Sequence, residues 1–259
     1  MNLQLEGKRA LVTGSTAGIG FAIAEALANE GAKVIVNGRT EKRVEEALAK
    51  LKGDAEGIAA DLGTAAGAQQ VSARYPDVDI LINNLGIFEP KSFEQISDDD
   101  WRRFFEVNVL SGVRMSRQYL PGMMARNWGR IVFISSESAV QIPAEMIHYG
   151  MTKTAQIAIA RGLAETTKGT NVTVNSVLPG PTASEGVGDF VKSMAEARGV
   201  DAATVEHEFF QNVRPSSLLQ RFARTEEVAA LVAFVASPLS SATNGAALRV
   251  DGGVVRSIL

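Results

Sequence analysis

Cysteine is absent from the 259 residues, so neither a disulfide framework nor thiolate chemistry is open to this chain. No apolar stretch approaches the roughly 20 residues that cross a bilayer. The formal net charge is −3 and no long basic run occurs, which argues against a nucleic-acid surface. Histidine occurs only as His148 and His207, outside any H-E-x-x-H or Cys/His cluster, so no protein metal site is expected. G-x-S-x-G, the commonest serine-hydrolase signal, is also missing. Internal repeats and low-complexity segments are lacking, and the opening Met-Asn-Leu-Gln-Leu-Glu carries no signal-peptide pattern, so a cytoplasmic protein is the expectation. The length suits one large α/β domain over residues 1–259.

What is present is organised around Tyr149-Gly-Met-Thr-Lys153. Four positions apart on a helix, a phenol and an ammonium share one face. A cation there is expected to favour phenolate and pull the tyrosine down towards neutrality, where it can exchange protons. Upstream, Gly129-Arg-Ile-Val-Phe-Ile-Ser135-Ser136 reads as an apolar strand ending in two hydroxyls, with Ser136 a candidate donor beside Tyr149. Near the start, Thr13-Gly14-Ser15-Thr16-Ala-Gly18-Ile19-Gly20 joins a strand to an Ala-rich helix. Glycines there let the backbone approach a pyrophosphate, and the helix start favours the anion.

Beyond that turn the pattern alternates: helix 21–30, strand 33–36, helix 41–51, strand 56–60, helix 65–74, strand 78–82. Such βαβ units predict a parallel sheet covered by helices on both faces. Asp61-Leu62 falls at a carboxyl edge, where ligands bind; a helix cap is the other reading of Asp61. Ser97-Asp98-Asp99-Asp100 reads as a helix N-cap with acids at the positive dipole end. The segment 137–148 should line a substrate pocket, with Glu137, Gln141, Glu145 and His148 capable of polar contact and His148 read as a packing residue. Strand 171–178 ends at Pro179-Gly180. Residues 183–219, with short helical runs at 190–197 and 203–212, read as a substrate lid. A last helix at 225–237 and a strand at 246–250 lead to Asp251-Gly252-Gly253.

These motifs together, with Asn83-Asn84-Leu85-Gly86 and Asn108, resemble the short-chain dehydrogenase/reductase family along the whole chain, in the manner of bacterial 3-oxoacyl-thioester reductases. The resemblance implies a Rossmann-type doubly wound parallel sheet and a nicotinamide dinucleotide. Catalysis would rest on Asn108, Ser136, Tyr149 and Lys153, with Asn108 holding, through its backbone at a helix distortion, a water that connects to the lysine. Cofactor contacts would come from Gly14, Ser15, Thr16, Gly18, Ile19, Gly20, Arg39, Asp61, Leu62, Asn84, Gly86, Tyr149, Lys153, Pro179 and Gly180, with either Thr182 or Ser184 at the carboxamide. The family usually has alanine where Leu85 stands. At the end of the second strand, Asn37-Gly38-Arg39 offers no acid to a ribose 2′-hydroxyl and one arginine to a 2′-phosphate, so NADP(H) is expected over NAD(H). The substrate would be a small carbonyl or secondary alcohol, such as a 3-oxoacyl thioester. An NAD-dependent alcohol or sugar dehydrogenase is the alternative, and a dinucleotide sensor without chemistry disagrees with the intact Ser-Tyr-Lys set. A homotetramer, built on helices centred on Val109 and Ile157, is also implied.

Overall fold

The computed structural model describes residues 2–258. Its strands are β1 (Arg9–Val12), β2 (Lys33–Gly38), β3 (Ala55–Ala59), β4 (Ile80–Asn83), β5 (Gly129–Ile134), β6 (Val172–Pro179) and β7 (Ala247–Val250). All are parallel, in the order β3-β2-β1-β4-β5-β6-β7. The helices are α1 (Gly18–Asn29), α2 (Glu41–Leu48), α3 (Ala65–Arg74), α4 (Asp98–Phe105), α5 (Ser111–Ala125) and α6 (Ile147–Thr166). They continue as α7 (Glu185–Arg198), α8 (Ala202–Glu208) and α9 (Thr225–Val235). None among the described residues is long and apolar enough to cross a membrane.

Strands β4, β5 and β6 are buried along their whole length, as a parallel sheet with two covered faces requires. Alternate side chains divide between those faces. Val12, Ile82 and Val132 meet Leu27 of α1 and Val228 and Val232 of α9. Leu11, Leu81 and Ile131 meet Val71 of α3, Met115 and Tyr119 of α5, and Ala160 of α6. The strand order reverses at β1 and β4, so the chains leaving their carboxyl ends diverge and open a crevice. Every turn that carries a candidate site residue opens on this edge.

The observed elements differ from the sequence pattern chiefly at polar ends. Strand β2 runs on through Asn37 and Gly38, because the Asn37 amide donates to the carbonyls of Ile58 (3.3 Å) and Ala60 (3.0 Å) and so carries a polar residue into the sheet. Helix α1 begins at Gly18, three residues before the expected start, since glycine's poor propensity hides a first turn. Ser97 caps α4 in a reciprocal box with Asp100, as its spacing indicates. Asp61 caps no helix: Thr64 accepts from Gly67 N at the start of α3, while Asp61 Oδ1 accepts from Gly63 N in the turn before it. The lid is helical and longer in its parts than the pattern indicated, with α7, α8 and a π turn at Phe209–Val213.

Candidate active site

The glycine turn after β1 is built for close approach. Gly14 has φ +61°, a conformation costly to residues with a Cβ, and its N–H donates to Asn37 Oδ1 at 3.2 Å. A Cβ on Gly20 would lie 2.4 Å from Asn84 Nδ2 and 2.5 Å from the Gly14 carbonyl, so α1 can seat against the β4 loop only with glycine there. Asn84 Nδ2 in turn donates to the carbonyls of Thr13 and Gly14, both at 3.0 Å. Ala17 stands at the N-cap of α1 and has no polar side chain, which leaves the first N–H groups to an incoming anion. A dinucleotide pyrophosphate fits this cradle. Ser15 serves the turn instead of a ligand: it is wholly buried, its hydroxyl donates to the Val12 carbonyl (2.7 Å) and accepts from Asn37 N (3.0 Å), and its own N–H bonds the Asn37 carbonyl (2.9 Å). Leu62 is likewise turned inward, buried in the core while Asp61 is exposed. At the end of β2, Gly38 is buried and Arg39 is exposed with no ion pair among the described residues.

Ser136 ends the run after β5, and α6 carries Tyr149 and Lys153 on successive turns of one face, the ammonium 5.6 Å from the Tyr149 ring centre. Ser136, Tyr149 and Lys153 all line one cavity. Lys153 is buried, with Nζ donating to the Ile134 carbonyl (3.0 Å) and Gln156 Oε1 (3.3 Å). Burial lowers its pKa to about 8. Tyr149 departs from expectation: its pKa is pushed up to about 12, because desolvation outweighs the opposing hydrogen bond from Ser136, and Glu137 adds to the rise. The lysine does not draw it towards neutrality here. The phenol therefore keeps its proton across the ordinary pH range.

Asn108 lies in a π turn, Glu106–Leu110, between α4 and α5, so the distortion expected there is present. Its side chain clamps two elements: Oδ1 accepts from Ile87 N (2.8 Å), and Nδ2 donates to Thr152 Oγ1 (3.0 Å), whose hydroxyl donates to the Tyr149 carbonyl (2.7 Å). The Asn108 carbonyl, expected to hold water, accepts from Gln156 Nε2 at 2.6 Å. An amide thus joins Asn108 to Lys153. Gln156 and Thr152 carried no signal in the sequence beyond their spacing from Lys153 on the helix.

The cavity measures about 510 Å³ and is walled on one side by the lid, through Val187, Met194, Val205 and Phe209. Ile19, Asn84, Gly86, Pro179, Gly180, Thr182 and Ser184 line it as well. Thr182 is buried and its hydroxyl donates to the Gly180 carbonyl (2.9 Å), whereas Ser184 is half-exposed and makes no side-chain cap at the start of α7. Of the four polar residues in 137–148, Glu137 and Glu145 reach the cavity. Gln141 is exposed, and His148 is buried against Phe104, ring centres 4.0 Å apart, and Trp101, 6.0 Å. The sequence reading missed Arg214. It follows the π turn of the lid and reaches back to Glu137 (3.0 Å) and Glu145 (3.2 Å), tying the lid to the residue beside Ser136.

Comparison with known proteins agrees with this geometry. The family described as short chain dehydrogenase matches residues 8–195. The uncharacterized oxidoreductase YvaG of Bacillus subtilis is 52% identical, over 100% of both chains. The 3-oxoacyl-[acyl-carrier-protein] reductase FabG of Aquifex aeolicus is 33% identical, over 98% of this chain and 100% of the other. Among solved structures, L-sorbose reductase from Gluconobacter frateurii, complexed with NADPH and L-sorbose, superposes with a TM-score of 0.93 at 30% identity over 100% of both chains.

Proposed function

Since the chain belongs to the short chain dehydrogenase family, we propose that it transfers a hydride between NADP(H) and a small carbonyl compound or the corresponding secondary alcohol. The observation that carries this reading is the convergence of Ser136, Tyr149 and Lys153 on one cavity that Ile19 of the glycine turn and Asn84 also line. When bound, the nicotinamide supplies the hydride. The protein supplies position, donors and a proton. Ser136 hydrogen-bonds the carbonyl oxygen, where negative charge develops. Tyr149, protonated because its pKa is near 12, gives its proton to the alkoxide. Lys153 holds the ribose hydroxyls and keeps a positive charge near the phenol. Asn108 and Gln156 fix that lysine, the first by joining the β4 loop to α6 and the second by bonding Nζ.

The pyrophosphate would lie on the N–H groups at the start of α1, and Arg39 would pair with a 2′-phosphate, no acid standing between Val36 and Glu41. Support for NADP(H) comes also from the L-sorbose reductase neighbour, which is complexed with NADPH. For the substrate, the relatives divide between a 3-oxoacyl thioester and a ketose. The whole chain serves as one dinucleotide-binding oxidoreductase domain, cytoplasmic and assembled as a homotetramer.

The test is a panel of small ketones, 3-oxoacyl thioesters and ketoses, followed by NADPH absorbance. Tyr149→Phe keeps the ring and removes the transferable proton, so it should abolish turnover while NADPH still binds by fluorescence titration. Ser136→Ala should be milder, losing about 2–4 kcal/mol of transition-state stabilisation. Wild-type turnover in Tyr149→Phe overturns the mechanism.

A further inference from the structure

Glu137 follows Ser136 directly and lines the same cavity, yet it is only 3% exposed. One of its carboxyl oxygens is fully used: Oε1 accepts from Arg214 Nε (3.0 Å) and from Ser138 Oγ (3.1 Å). The other, Oε2, is buried and has no hydrogen-bond partner among the described residues. A carboxylate oxygen left so is costly, by more than a made hydrogen bond returns. Arg214 holds this carboxyl still, anchored by its own bonds to Glu145 (3.2 Å) and the Val213 carbonyl (3.0 Å). The unpaired oxygen is therefore a fixed acceptor on a cavity-lining residue next to Ser136.

Resting on the carbonyl-reducing reading above, we propose that Glu137 selects the substrate, and that the substrate is an uncharged ketone with a hydroxyl close to its carbonyl, bonded through that hydroxyl to Glu137 Oε2. The carboxylates Glu137, Glu145 and Glu208 line the cavity and occupy its arginines, which disfavours an anionic substrate. Arg198 is paired with Glu208 at 2.7 Å and Arg214 with Glu137 and Glu145, so neither guanidinium is free for a carboxylate. Burial raises the Glu137 pKa while Arg214 opposes the rise. A hydroxyl both donates and accepts, so it satisfies Oε2 whether or not that carboxyl holds a proton; an ammonium would satisfy only the ionised form. The apolar lining, Phe88, Met146, Val187 and Met194, then receives the carbon chain. A substrate with methyl in place of hydroxyl would leave the same oxygen without a partner, so only the hydroxylated substrate gains the hydrogen bond, and a site built to bond a hydroxyl discriminates against the analogue that lacks it.

The experiment compares ketones that differ only by hydroxyl against methyl: hydroxyacetone with butanone, dihydroxyacetone with diethyl ketone, and β-hydroxyethyl methyl ketone with methyl propyl ketone. The wild type should show kcat/KM higher for the hydroxylated member by about ten-fold or more in at least one pair. In Glu137→Met the ratio should fall to near unity. Glu137→Met/Arg214→Met, which removes the buried pair together, should do the same and serves if the single variant unfolds. Turnover of every ketone without hydroxyl preference, or a preference that survives in the folded variant, overturns the assignment of Glu137 and leaves the hydride-transfer reading intact. Failure to oxidise NADPH with any of these ketones or with the wider panel takes down both.

Discussion

At the scale of the residue, burial governs the two groups that matter most, and in opposite senses. Desolvation favours the neutral form of each, raising Tyr149 to about 12 and lowering Lys153 to about 8. Lys153 therefore loses its charge as pH rises through about 8, more than two units below its ordinary 10.5. A neutral amine bonds the ribose less well and no longer stabilises charge nearby. We predict that kcat/KM for the cofactor, which reports the free enzyme, falls on an alkaline limb centred near 8. Lys153→Arg should move that limb well upward, because guanidinium stays charged. A profile flat through this range, or a limb unmoved in Lys153→Arg, would assign the titration elsewhere.

At the scale of the element, the packing of α4 on α6 carries a titration of its own. His148 is wholly buried between Trp101 and Phe104, and neither ring nitrogen has a hydrogen-bond partner among the described residues. Desolvation lowers its pKa below the ordinary 6.5, against the pull of Asp100 and Glu89 and with help from Arg103 and Lys91. Above 6.5 the ring is neutral in both folded and unfolded chains, so nothing is lost. Below it the unfolded chain takes up the proton first, and stability drains as pH falls. Chemical denaturation at about pH 8 and about pH 5 should show this loss, and His148→Phe should flatten it. An unchanged slope in His148→Phe would place the acid sensitivity in other groups.

At the scale of the whole molecule, the function proposed above puts cofactor choice where β2, α2 and the glycine turn meet. Gly38→Asp should turn preference from NADPH towards NADH by on the order of ten-fold or more in the ratio of kcat/KM. The fold adds a condition: a Cβ at Gly38 would lie 2.4 Å from Thr16 Cγ2, so Thr16→Ala belongs in the same variant. A wild type that already prefers NADH refutes the assignment of Arg39. Assembly is the other property of this scale. Val109, the centre of one of the two helices expected at an interface, is itself 1% exposed and lies in the chain's own core, whereas Phe105, one turn earlier, is 40% exposed, and Ile157, the centre of the other, is half-buried. Light scattering should give a tetramer at micromolar concentration, and Phe105→Glu should weaken it; a monomeric wild type counts against these helix faces.

The chain's own order of residues determined the parallel sheet, the glycine cradle and the Ser136, Tyr149 and Lys153 set, because these rest on local spacing: apolar runs that span a layer, glycines at a turn, two side chains one helical turn apart. It could not determine what burial does to that set. Lys153 at position four after Tyr149 suggested a lowered phenol, and the surrounding protein reversed the sign. Nor could it show that Gln156 would take the Asn108 carbonyl, that Ser15 would be consumed by Asn37, or that Arg214 would cross from the lid to Glu137. Each of those is a contact between segments distant along the chain, made when the sheet order brings β2 beside β1, α6 beside the π turn and the lid over β5. Spacing fixes which groups share a face; only the folded packing decides how much water they keep and which partner reaches them first.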